Sequence, residues 1–270
     1  MNNSISKAID IVAKIFAGII IVSIAVGVLE TAVSLIDRFS GAEDKEYSSE
    51  MTVMMKDVSP GANLDIDIKS ADISIKTGDT FSYYTNSKYI KVKSENNTVK
   101  ITESRHLEDS EVTLVIPENQ TFSSVKIDSG AGDIHADDIS CKKLRLNLGA
   151  GDITIDTLTV LNNAQVNSGA GNITVSGGSV KDFDCNLGAG NTEINSEFSG
   201  KSSFECAAGS LDVILLGERD SYTLSVDHAL GDVMVNGDSA GSGTIGNGPN
   251  KVEFDCALGD VNIQFPESQL

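Results

Sequence analysis

Regularly spaced carboxylates and asparagines are the residues whose chemistry comes up first. Two identical tetrads, Gly130-Ala131-Gly132-Asp133 and Gly149-Ala150-Gly151-Asp152, end in aspartate, and two more, Gly169-Ala170-Gly171-Asn172 and Gly188-Ala189-Gly190-Asn191, end in asparagine. Weaker copies follow at Ala207-Ala208-Gly209-Ser210, Ala229-Leu230-Gly231-Asp232 and Ala257-Leu258-Gly259-Asp260. If the copies lie side by side, Asp133, Asp152, Asp232 and Asp260 share one column, and Asp128, Glu205, Asp227 and Asp255 share another. Stacked carboxylates repel, and a hard cation such as Ca²⁺ bridging neighbours would relieve that. The simpler account is preferred: Asp and Asn suit tight turns and hydrogen-bond nearby backbone, and the asparagines dilute the charge. The four tetrad aspartates are therefore only weak metal candidates, and no residue is assigned to catalysis or to a cofactor.

Other chemistries are poorly supplied. A phosphate loop needs G-x-x-x-x-G-K-[ST], and no tetrad is followed by lysine; a dinucleotide fingerprint opens a helix, whereas each tetrad is followed by alternating residues typical of a strand. Nucleotide binding is excluded. Nucleic-acid binding is excluded as well, because Asp and Glu lead Lys and Arg by 39 to 20. Polysaccharide-cleaving β-helices use acid pairs in a cleft beside aromatic platforms, and here there is no Trp and only three histidines. His135 is read as an exposed strand residue, and His228 as partly buried.

The tetrads stand 19, 20 and 19 residues apart in their first four copies, and this period decides the architecture. Aligned on the tetrad, Ile127, Leu146, Val166, Cys185, Phe204, Val226 and Phe254 form one apolar column. Ile134, Ile153, Ile173, Thr192, Leu211, Val233 and Val261 form a second, and Ala136, Ile155, Val175, Ile194, Val213, Val235 and Ile263 a third. Polar residues alternate with them, so each copy reads as strand, tight corner, strand, with one face buried. A 19–20-residue unit cannot bury that face alone and must stack on its neighbours. The expected fold is all-β: a single-stranded parallel β-helix whose corners are made by Gly130, Gly132, Gly149, Gly151, Gly169, Gly171, Gly188, Gly190, Gly209, Gly231 and Gly259.

Residues 126–270 are assigned to these coils and residues 51–125 to irregular N-terminal β coils forming a cap. There, Leu64 to Ile75 resembles a degenerate first coil, residues 88–103 a hairpin around Glu95-Asn96-Asn97, and Val112 to Pro117 a strand. Caps are expected from residues 51–63 and from Pro266 onward, and Gly237 to Asn250 reads as a mobile glycine-rich loop. With coils stacked in chain order, His228 separates Cys206 from Cys256, and Cys185 lies diagonally from Cys206. Neither pair then meets the disulfide limit, and all four cysteines read as small buried apolar residues.

Residues 1–40 carry three basic and three acidic side chains, so the whole net charge of −19 belongs to the rest. Ile15 to Leu29 has no charge, and apolar character continues past Glu30 to Ile36. Residues 15–36 rise about 33 Å as a helix, enough to span a bilayer. The preferred reading is a single transmembrane helix at 15–36, a cytoplasmic N-terminus at 1–14, a linker at 37–50 and an extracytoplasmic acidic body, with Lys7 and Lys14 on the inner flank. A cleaved signal peptide ending near Ala32-Val33-Ser34 and an interfacial helix are the alternatives.

The order L-D-I-D-I-K-S-A-D-I-S-I at 64–75, V-T-L-V-I-P at 112–117, F-S-S-V-K-I-D-S-G-A-G-D-I at 122–134 and the repeated G-A-G-[DN] units resembles a bacterial family named "putative adhesin". The resemblance covers about residues 51–265 and implies a β-helical, surface-facing body, commonly behind one N-terminal membrane helix. It implies no catalytic residue. Three functions remain open: a non-catalytic surface module contacting protein, glycan or cell-wall polymer; an accessory or scaffold in envelope-stress sensing; and a polysaccharide-active enzyme.

Overall fold

The computed structural model describes residues 53–266 except 55–57, 106 and 108. The expected membrane segment at 15–36, with its flanks at 1–14 and 37–50, lies outside the described residues. Among the described residues no helix is long and apolar enough to cross a membrane.

The body is all-β, with one 3₁₀ turn at Arg219–Ser221. Each repeat contributes one strand leading into the tetrad and one leaving it, and the central repeats add a third run, in which residues 138–141, 157–160, 178–181 and 197–199 pair in parallel. Strands of the first kind, such as Ser124–Ala131, Phe183–Ala189 and Lys201–Ala208, stack into one sheet. Those of the second kind, such as Thr192–Ser199 and Leu211–Leu215, stack into another. Successive repeats pair in parallel: Ile153 is opposite Ile134 and Ile173, and Val166 is opposite Leu146 and Cys185. This is a β-solenoid-like stack, and no neighbouring pair of tetrad strands runs in opposite directions.

The three inward columns are buried along their whole length. Phe183 and Phe204, leading into their tetrads, meet Phe198 on the third run, opposite Val180, with ring centroids 5.6 and 5.4 Å from it, so the rows share one core. Burying side chains of this size supplies about 1.5–3 kcal/mol each, which no single repeat could accumulate alone.

Coil order departs from chain order at both ends. Lys201–Ala208 pairs with Asn250–Leu258, which in turn pairs with Tyr222–Leu230, so the last repeat lies inside the sixth. The reason lies in residues 237–250. Asp238–Ala240 folds antiparallel onto Val233–Val235, and Gly243–Gly246 antiparallel onto Tyr222–Leu230. A repeat carrying its own return strands cannot be stacked upon further, so it takes the outermost place. The segment read as a mobile loop is thus the C-terminal cap.

The N-terminal end mirrors this. Asn63–Ile68 lies between Thr98–Glu103 and Ser124–Ala131, and Asp72–Gly78 between Glu111–Pro117 and the strand beginning at Ile134. Outside them, Ile90–Glu95 returns antiparallel to Thr98–Glu103, and Ser82–Thr85 returns antiparallel to Glu111–Pro117. The hairpin expected at 88–103 is present, turned by Asn96 and Asn97, whose φ angles are +52° and +56°. Of the segments expected to cap the stack, Val53–Met54 adds two residues against Ser82–Thr85.

Candidate functional site

The tetrad corners form one continuous edge of the stack. The second glycine of the corner is forced by backbone approach: a Cβ on Gly171, at φ +126°, would lie 1.9 Å from the carbonyl oxygen of Gly151. Gly149 shows the same at the first position, where a Cβ would lie 2.2 Å from the Gly130 oxygen. Gly132, Gly190, Gly209, Gly231 and Gly259 also have positive φ, while Gly130, Gly169 and Gly188 do not. Between the glycines, Ala131, Ala150, Ala170, Ala189 and Ala208 run in register to Leu258 and Leu230. The two leucines leave this edge apolar and exposed at its C-terminal end.

Beside this ridge runs the aspartate column. Asp133 Oδ1 accepts the backbone N–H of Asp152 at 2.8 Å, and Asp152 Oδ1 accepts that of Asn172 at 2.7 Å. Asn172 serves Asn191, Asn191 serves Ser210, and Asp260 serves Asp232 in the same way. The column starts one coil earlier than the tetrads, because Asp72 Oδ1 accepts the N–H of Asp133 at 2.8 Å. Asp72 escaped the sequence reading, although Ser70-Ala71-Asp72 ahead of an I-S-I strand is the tetrad without its glycines. One oxygen of Asp133, Asp152 and Asp260 is thereby committed to the next corner.

On the outer face of the first sheet a second ladder forms. Asn147 Nδ2 donates to Asp128 at 2.6 Å, Asn167 to Asn147 at 2.7 Å and Asn186 to Asn167 at 3.0 Å. Beyond Asn186 the row continues as Glu205, Asp255 and Asp227 on three adjacent strands.

The adjoining outward row carries opposite charge at its two ends. It reads Lys93, Lys100, Asp65, Lys126, Arg145, Gln165, Asp184, Ser203 and Glu253 in register order. Lys100 and Lys126 each lie 3.8 Å from Asp65, and Lys126 also pairs with Asp128. That hydrogen bond to Asp128 raises Lys126 above the ordinary lysine value, so it remains cationic.

On the other sheet, His135, Asp137 and Asp156 bring their ligand atoms within 4.8 Å of one another. Asp137 Oδ1 lies 3.6 Å from His135 Nε2, too far for a hydrogen bond, and Asp137 Oδ2 accepts the backbone N–H of Thr77 at 3.1 Å. An imidazole and two carboxylates could hold a first-row divalent ion. The sequence contained the signal, since Asp156 follows Asp137 by one repeat of 19 residues. At the C-terminal end a groove of about 750 Å³ is lined by Arg219, Asn236, Gln264 and Phe265 among others. The Arg219 guanidinium lies 5.9 Å from the centre of the Phe265 ring.

Parallel-paired repeats, glycine corners and side-chain ladders on the outside define an all-β, solenoid-like repeat protein. A family model described as Toastrack DUF4097 matches residues 90–264, and the chain belongs to that family. Comparison with curated proteins gives no match. Among solved structures it is similar to a "putative cell adhesion protein" from Clostridium sporogenes, at 15% identity and TM-score 0.40, covering 81% of this chain and 99% of that one. It is also similar to a "putative adhesin" from Bacteroides fragilis, at 13% identity and TM-score 0.42, covering 82% and 100%. A "putative adhesin" from Parabacteroides distasonis is similar at 14% identity and TM-score 0.39, covering 82% and 98%.

Proposed function

We propose that the chain is a membrane-anchored, extracytoplasmic module whose body is a single-stranded parallel β-helix that binds a surface polymer without catalysing its conversion. The observation that carries this reading is the row Lys93, Lys100, Asp65, Lys126 and Arg145, four cations to one acid on one face of a protein whose net charge is −19. Isolated surface ion pairs contribute little to stability, so a net excess of cations on adjoining strands, broken only by Asp65 between Lys100 and Lys126, is better explained by a ligand than by the fold. A polyanion with repeating charge, such as an acidic cell-wall glycan, matches that row and would be drawn to it by its field.

Two measurements test this. Protease added to intact cells should degrade the body as it does in lysates; protection in intact cells would place the body inside and remove the reading. Full-length protein should sediment with purified anionic wall polymer at low salt, and Lys126→Glu combined with Arg145→Glu should lower that binding at least about tenfold. Unchanged binding would reject the row as the contact surface.

A further inference from the structure

We infer that Cys206 and Cys256 form a disulfide that staples the last repeat into the stack, an inference resting on the extracytoplasmic placement proposed above for its occurrence in cells. Stacking in chain order would have kept these residues two strand spacings apart. The observed order makes them register partners on adjacent parallel strands. Their Cα atoms are then about 4.8 Å apart, inside the roughly 4.4–6.8 Å span that a disulfide bridges. Both side chains point inward, are fully buried, and carry free thiols in this structure.

Register at this rung is held from both sides. Two residues earlier, Phe204 and Phe254 stack at 5.1 Å with 8° between their planes, and two residues later Ala208 pairs with Leu258. A slip of one residue by either strand would turn that strand's phenylalanine outward, so the two sulfurs are kept opposite each other. The Cys256 thiol donates to the Gly209 carbonyl oxygen at 3.6 Å, and the closeness of the two thiols pushes Cys206 up and draws Cys256 down. Cys141 and Cys185 differ, each pushed up to about 12 chiefly by burial.

The reaction is thiol–disulfide exchange with a small-molecule or protein disulfide as oxidant. Cys256 thiolate attacks one sulfur of the oxidant, forming a mixed disulfide and releasing one thiolate; Cys206, deprotonated, displaces the second. Two electrons and two protons pass to the oxidant, which leaves as two thiols. Because the folded pair is buried, exchange takes place as the last repeat enters its slot. The bridge closes a loop of roughly fifty residues that includes the whole sixth repeat and its return strands.

The test is refolding of the reduced, denatured full chain in a glutathione buffer with excess oxidised form, then alkylation and peptide mapping. The expected product joins the Cys206 and Cys256 peptides, with Cys141 and Cys185 alkylated only after denaturation. Its melting temperature should exceed that of the reduced chain by about 5 °C or more, a gain abolished by reductant. Cys206→Ser and Cys256→Ser should each melt close to the reduced chain and show no gain. Four free thiols after oxidative refolding, a Cys185–Cys206 link, or a bridge without a thermal gain would overturn the staple. Alkylation of living cells before lysis separates the two ideas: a bridge formed in the tube but absent from cells would count against the extracytoplasmic placement and leave the geometry standing.

Discussion

The Asp152 carboxylate oxygen Oδ1 accepts both the backbone N–H of Asn172, at 2.7 Å, and its side-chain amide, at 3.2 Å. One coil thus closes the corner of the next, in the manner of an N-cap closing a helix. The acid is retained for its acceptor oxygen, and its charge is incidental to the corner. Asp152→Asn should therefore shift stability by less than about 0.5 kcal/mol, while Asp152→Ala should cost about 1–2 kcal/mol by leaving the Asn172 N–H to solvent. Urea denaturation of the two variants beside wild type decides it; equal losses would show that charge is what the corner needs.

The corner glycines make a harsher prediction. Gly171→Ala puts a methyl 1.9 Å from the Gly151 carbonyl oxygen at φ +126°. Left-handed strain of roughly 1–3 kcal/mol adds to overpacking of similar size, so a loss of about 3 kcal/mol or more, or failure to fold, is expected. Gly241, with nothing within 4 Å of a built Cβ, is the matched control and should accept alanine with little change. Comparable losses at the two sites in thermal unfolding would refute the stacking explanation for the tetrad.

Much of this architecture was readable from period and alternation. Ile127, Leu146 and Val166 announce an inward column because each is flanked by polar residues and followed at the same distance by the tetrad. Coil order was not readable, since Cys206, His228 and Cys256 occupy the same column whichever repeat comes last. What decides the order is the pairing of Leu224 with Ile245 in a short return strand. Five glycines between 237 and 248 hide that strand, and Ile245 is its one large apolar residue. The His135, Asp137 and Asp156 group was half legible: Asp137 and Asp156 share a column one repeat apart, but His135 belongs to another, and the three meet only when two adjacent coils are superposed.

Asp138 gives a pH dependence. Burial raises its carboxyl above the ordinary value, and its Oδ1 lacks a hydrogen-bond partner. With the folded value above the unfolded one, there is no penalty at low pH, where both states are protonated. The penalty grows as pH rises from the unfolded toward the folded value and is constant above that. Asp138→Asn should therefore melt higher than wild type at pH 7, with the difference vanishing as pH falls below the ordinary aspartate value. A gain that persists at acid pH would assign the effect to packing.

The caps carry the remaining prediction. Tyr222–Leu230 has Asn250–Leu258 on one side and Gly243–Gly246 on the other, so among the described residues the return strand is what separates its hydrogen-bonding edge from another chain. Open parallel edges with buried alternating faces are templates for association. Replacing residues 238–246 by a glycine–serine linker of equal length removes both C-terminal return strands at once and takes Ile245 from its place against the core. The altered protein should keep its repeats, because the inner coils pair with one another, but it should associate end to end. Light scattering at rising concentration is expected to show growth into elongated particles for this variant, while the unaltered chain keeps a constant size. A variant of constant particle size would mean that something other than the return strands guards the edge.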